Sequence, residues 1–208
     1  MKSSGIGQRD AEKASFRHLL PVAHCNSQRE TCGLGRRLGM MLAMSGDRSS
    51  EATWSGLGEG EQRWFLGTLA TIRVSGEVVD GRFSLIEFLF PRFTSPPRHT
   101  HPQDESYVVL DGRLTVQAAQ RRFTLEVGGA ALVPMGVPHT FRVDSETARV
   151  LVLSTPAGLE RLVRDGSVRA GAATLPPADA PRPTPDELTR IFDAHGQINC
   201  GPPLGPGD

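Results

Sequence analysis

An all-β sandwich or barrel is the fold class the sequence predicts, and three observations carry that prediction. From Arg63 to Pro156 the chain is a succession of short runs rich in Val, Leu, Phe and Thr. These residues suit a pleated, half-buried surface. Turn signals (SGE, VDG, LDG, VGG and MGVP) separate the runs at close intervals. No helical period lies between them, which argues against alternating βαβ units.

The runs follow in order. RWFLGTLATIRVSG comes first; its stretch at 63–74 is apolar enough to be an exposed edge through which two copies pair, so a homodimer is expected. RFSLIEFLFP is nearly all apolar, with one acid, Glu87. ESYVVLDG ends on Asp111-Gly112, a strong hairpin signal. RLTVQAA and RRFTLEVG alternate, with Leu114/Val116 and Phe123/Leu125/Val127 as their half-buried sets. GAALVP, HTFRV and ARVLVLSTP complete the β region.

After Pro156 the pattern turns helical. AGLERLVRDG places Leu159, Leu162 and Val163 on one face and stops at Gly166. Five prolines between 176 and 185 mark an extended linker. TPDELTRIFDAHG reads as a second helix, with Thr184 as its cap, Pro185 at the first helical position and an apolar stripe of Leu188, Ile191 and Phe192. The tail CGPPLGPGD carries no regular pattern. Residues 1–60 show no sustained period. Their first 43 residues hold seven basic against three acidic side chains, which fits a disordered extension. A shorter chain opening at Met40, Met41 or Met44 is the alternative. The division is therefore an extension at 1–60, a barrel at 61–156 and helices with a proline-rich linker at 157–208.

Composition narrows the function. Lys plus Arg equals Asp plus Glu at 23 each, so the formal charge is zero. That balance predicts neither a nucleic-acid nor a membrane partner. No apolar run approaches the ~18 residues of a spanning helix, and no secretory leader is recognisable. The three cysteines form no CxxC pair, as expected of a reduced cytoplasmic protein.

The chemistry lies in PRHTHPQDESYVVLDG at 97–112. Side chains at i and i+2 of a strand face the same way. His99 and His101 therefore point together, and the prolines around them favour extended backbone. Glu105 has the same parity. A fourth donor comes from GGAALVPMGVPHTFRV at 128–143, where His139 opens a strand after the Gly136–Pro138 turn. Three imidazoles and a carboxylate suit one first-row divalent ion per chain: Fe, Mn, Ni, Co, Cu or Zn. His18, His24 and His195 read as ordinary surface or core residues.

The two stretches resemble the cupin family. His99, His101, Glu105 and Gly112 match its first motif, HxH-x3-E-x6-G. Gly128, Pro134, Gly136 and His139 match its second, G-x5-P-x-G-x2-H. The resemblance covers about residues 63–155. It implies a double-stranded β-helix, or jelly-roll, barrel with a metal held by His99, His101, His139 and Glu105. It also implies an arrangement similar to that of quercetin dioxygenases and other metal cupins. Two positions depart: Phe93 stands where the family has Gly, and Val143 where it has Asn.

Parity adds a pocket. Tyr107 and Val109 share the face of Glu105, Phe141 shares that of His139, and Val116 lies opposite. Tyr107 is read either as a proton donor beside the metal or as a wall aromatic. Glu87 is a general base with a raised pKa if it faces inward, and an edge charge if outward. Phe88, Phe90, Phe93, Trp54 and Trp64 are candidates for an apolar mouth, and Arg92 and Arg98 for a carboxylate clamp. The leading expectation is a dioxygenase acting on an enol, phenolic or flavonol-like small molecule, with Glu105 and Tyr107 as its catalytic residues. The alternatives are a metal-dependent isomerase, cyclase or lyase that uses no O2, and a non-catalytic small-molecule-binding protein.

Overall fold

The computed structural model describes residues 52, 54–56 and 58–206. The expectations for residues 1–43, including His18, His24 and the alternative starts, lie outside these residues. Twelve strands make two facing sheets among the described residues. The larger sheet holds β1 (Glu61–Phe65), β2 (Thr68–Val74), β3 (Ser84–Pro91), β5 (Asp104–Asp111), β8 (Ala130–Val133), β10 (Thr147–Thr155) and β11 (Ser167–Arg169). Its order is β11-β1-β2-β3-β10-β5-β8. The smaller sheet holds β4 (Arg98–Thr100), β6 (Leu114–Ala118), β7 (Arg121–Leu125), β9 (His139–Val143) and β12 (Ile198–Gly201), in the order β12-β4-β9-β6-β7. The chain changes sheet repeatedly, as a jelly roll requires.

The inner faces follow the predicted alternation. Ile86, Phe88 and Phe90 of β3, Tyr107 and Val109 of β5, Leu114 and Val116 of β6, and Ala148, Val150 and Val152 of β10 form one core. Each fully buried Val, Leu or Ile contributes about 1.5–3 kcal/mol. Two helices, α1 (Leu159–Asp165) and α2 (Pro185–Ala194), follow the barrel. Thr184 caps α2 as expected, and Glu187 caps it reciprocally. No helix among the described residues is long and apolar enough to cross a membrane.

Three expectations change. The run at 63–74 is not an edge. It folds back at Leu66-Gly67 into the β1–β2 hairpin, and β11 pairs outside β1. The homodimer expectation loses the edge it rested on. Asp111-Gly112 is not a hairpin turn either, because β5 and β6 belong to different sheets. Gly112 carries the chain across with φ +81, and a Cβ there would meet the Thr147 carbonyl oxygen at 2.3 Å. A strand reaches into the start of the tail: β12, ending at Gly201, pairs with β4. The segment ahead of the prolines is tied to the barrel at one point, where the Trp64 indole donates to the Thr174 carbonyl at 3.0 Å.

The two motif departures are neighbours. The Phe93 amide donates to the Val143 carbonyl and the Val143 amide to the Thr94 carbonyl, both at 3.0 Å. Phe93 sits at φ +64, a conformation glycine adopts without strain. Val143 is fully buried in the core.

Candidate metal centre

Two donors come from the smaller sheet, one from the larger, and one from the crossing between them. β4 aims His99 inward, in register with His139 at the start of β9. His101 follows in the crossing from β4 to β5, and Glu105 is the first inward residue of β5. The ring centroids of His99 and His139 are 4.4 Å apart, and those of His101 and His139 are 4.9 Å apart. The donor atoms of all three histidines lie within 4.8 Å of one another. Two nitrogens about 2.1 Å from one ion are at most ~4.2 Å apart, so only a small adjustment would let one ion reach all three.

The hydrogen bonds orient the rings. The His99 Nδ1–H donates to the Pro97 carbonyl at 2.8 Å, and the His139 Nδ1–H to the Val137 carbonyl at 2.9 Å. A carbonyl only accepts, so each Nδ1 carries hydrogen and each Nε2 is left for the interior. Burial, reinforced by His139, pushes the His99 pKa from 6.5 down to about 4. His99 is therefore a neutral donor at neutral pH. His139 Nε2 stands 3.2 Å from Glu105 Oε2. Two acceptors cannot share that distance favourably, so a cation belongs between them: a proton on His139, or a metal ion. Burial opposes the proton, and the Glu105 carboxylate outweighs it, raising the His139 pKa.

His101 is the sharpest indicator. Both its ring nitrogens are buried and neither has a hydrogen-bond partner. Its Nε2 lies 3.4 Å from Glu105 Oε2, an ion-pair distance. A buried imidazole is costly unless a ligand takes one nitrogen. The residues present thus fit a first-row divalent ion, with three imidazoles and one carboxylate as donors.

Burial pushes the Glu105 pKa up, but His101 and His139 outweigh it and hold the carboxyl well below the usual range. Tyr107 donates its hydroxyl to Glu105 Oε2. Burial, and then the neighbouring carboxylate, raise the Tyr107 pKa well above 10, so it stays a donor. Its hydroxyl is thereby engaged with Glu105.

Beside the centre lies a cavity of about 530 Å³. Phe88, Phe90, Phe141 and Val152 from the barrel strands line it, together with Phe65, Leu159, Leu162, Leu188 and Phe192. His99, Glu105 and Tyr107 stand at its polar end, together with Gln197 and Asn199. A second cavity of about 40 Å³ touches His101, Gln103, Glu105, His195 and Gln197.

Phe141 and Tyr107 therefore line the cavity, as parity predicted. Val109 and Val116 do not; they are packed in the core, away from the cavity lining. Glu87 faces outward. Arg73 reaches its Oε2 at 2.7 Å, and Arg149 donates to Oε1. Burial raises its pKa and the two guanidiniums outweigh that, leaving it below 4.5. Glu87 is thus a clamped structural carboxylate and not a base. Arg92 pairs with Glu146 at 2.5 Å, and Arg98 donates to the Ala119 carbonyl at 2.8 Å. Neither lines the cavity, and nor do Phe93, Trp54 or Trp64.

The sequence reading missed His195, Gln197 and Asn199. His195 borders the small cavity, and its Nε2 lies 2.8 Å from Asp165 Oδ2. The Gln-x-Asn alternation in GQINC was the available signal.

The family model for a cupin domain matches residues 87–155. Quercetin 2,3-dioxygenase of Bacillus subtilis is 30% identical over 95 residues, 45% of this chain and 28% of that protein. An uncharacterised protein of Streptomyces coelicolor is 36% identical over 63 residues, 30% of this chain and 60% of that protein. The chain thus spans less than two thirds of the length of either relative. Among solved structures, an RmlC-like cupin from Shewanella frigidimarina superposes with a TM-score of 0.46 at 16% identity, over 53% of this chain and 96% of that one.

Proposed function

We propose, from the premise that this chain belongs to the cupin superfamily, that it is a metal-dependent dioxygenase acting on an enolic, phenolic or flavonol-like small molecule. One observation carries the reading: three imidazoles and Glu105 converge at the polar end of a large apolar cavity. The relative named as a quercetin dioxygenase supports it.

His99, His101, His139 and Glu105 would hold the ion. When bound, such an ion supplies Lewis acidity toward a substrate hydroxyl and, for its redox-active members, electron transfer to O2. The chain's own residues do the rest. Phe88, Phe90, Phe141 and Val152 take the apolar body of the substrate and exclude water. Among the described residues, the cavity lining contains no lysine or arginine, and its charged side chain at the metal end is a carboxylate. Away from the ion, an uncharged substrate body is therefore favoured over a charged one. Glu105 is a ligand first, because a carboxyl held so far below its usual pKa is a weak base. It accepts a proton only from a hydroxyl whose acidity has been raised. Tyr107 fixes the Oε2 that would do so.

The test is oxygen uptake by protein reconstituted separately with Mn, Fe, Co, Ni, Cu and Zn, with quercetin as the probe. Uptake in step with flavonol loss is expected for at least one ion. Turnover that continues without O2 would contradict the reading and favour isomerase or lyase chemistry.

A further inference from the structure

The matched family region ends at residue 155, yet the polar end of the cavity is completed by residues far beyond it. β12 runs along β4, and its register sets Asn199 against His99. His99 is in turn opposite His139. Asn199, His99 and His139 thus occupy one row across the smaller sheet. Directly opposed residues have Cβ atoms roughly 5 Å apart. Gln197, two positions earlier, also lines the cavity. Ile198 between them points away and is 65% exposed. Gln197, just before the strand, is buried, whereas Asn199 reaches the cavity from an exposed position at its rim.

The two amides form a unit. Gln197 Nε2 donates to Asn199 Oδ1 at 3.1 Å. Among the described residues, the side chains of Gln197 and Asn199 make this hydrogen bond and no other, and the Asn199 amide is open to solvent. One acceptor and one donor group thus remain for a ligand, next to the row of histidines. The packing holds them there: α2 anchors through buried Phe192, whose carbonyl accepts from the Gln197 amide at 2.9 Å.

We propose that Gln197 and Asn199 are the substrate-positioning residues of this site. They would read the hydroxyl and carbonyl groups of an uncharged, polyhydroxylated aromatic while its rings lie on Phe88, Phe90 and Phe141. The proposal rests on the reading of the cavity as a substrate site, and not on the use of O2.

The test is equilibrium binding to the metal-loaded full chain without O2. Quercetin is the hydroxylated probe and flavone the probe without hydroxyls. Gln197→Leu and Asn199→Ala should each weaken quercetin about 10-fold, the loss of one hydrogen bond with its partner left unpaired. Flavone affinity should stay within about two-fold, and metal content should not change. Ile198→Ser, on the outward side, should bind both probes as wild type does. An Asn199→Gln variant regaining part of the quercetin affinity would support positioning over packing. Equal weakening of quercetin and flavone, or wild-type affinity in both amide variants, would overturn the proposal. So would a wild type that binds quercetin no better than flavone. A wild type that binds quercetin selectively but consumes no O2 would overturn the dioxygenase reading alone.

Discussion

Glu87 and Glu105 are both buried, both on strands of the larger sheet, and opposite in role. Glu87 faces outward and is held by two permanently charged guanidiniums, Arg73 and Arg149. Glu105 faces inward and is surrounded by imidazoles and a phenol. Arginine keeps its proton under all ordinary conditions, so the Glu87 cluster has no open position. Imidazoles carry lone pairs and exchange protons, so the Glu105 cluster can take an ion. The chemistry of a buried carboxylate is set by which cations can replace one another beside it.

Two substitutions should separate the pair most strongly. Glu105→Gln removes the anionic donor and should lower oxygen uptake at least about 100-fold, the upper range for disturbing even a metal's outer partners. Glu87→Gln should leave uptake unchanged but cost about 2 kcal/mol in urea denaturation, because it leaves partly buried guanidiniums without their charge partner. Its pH dependence has a definite sign. The folded pKa of Glu87 lies below the unfolded value of 4.5. Its stabilisation is therefore present above about 4.5 and is lost as the pH falls through the folded value. The stability gap between wild type and Glu87→Gln should shrink below pH 4.5; a gap that widens there would contradict the clamp.

A smaller effect is expected of Tyr107→Phe. Glu105 keeps its position but loses a donor, so metal affinity measured by chelator competition should fall about 10-fold. The smallest concerns neither carboxylate. Phe93→Gly relieves a left-handed residue and should gain about 0.5 kcal/mol in the same urea titration, with activity intact.

The inward carboxylate was legible in the sequence and the outward one was not. Strand parity placed Glu105, Tyr107 and Phe141 on the cavity side because β5 and β9 each begin beside a ligand that fixes their phase. β3 offers no such phase: SLIEFLFP is apolar on both faces, since its outer face is covered as well. The cations that claim Glu87 lie on the neighbouring strands β2 and β10, and pairing of that kind is set by topology. The same limit hid the role of Asp111-Gly112, where turn chemistry marks a reversal but does not say which sheet receives the chain. It also hid β12. That strand has four residues, exposes its one large apolar side chain, and finds its partner about a hundred residues away. The Gln-x-Asn alternation at 197–199 is too short a pattern to mark a wall of the site by itself.

The most direct test is elemental analysis of purified wild type beside Glu105→Ala and Glu87→Ala. The account predicts close to one equivalent of a first-row metal in wild type and in Glu87→Ala, and loss of that metal in Glu105→Ala. Equal metal in the two variants, or none in wild type after reconstitution, would contradict it.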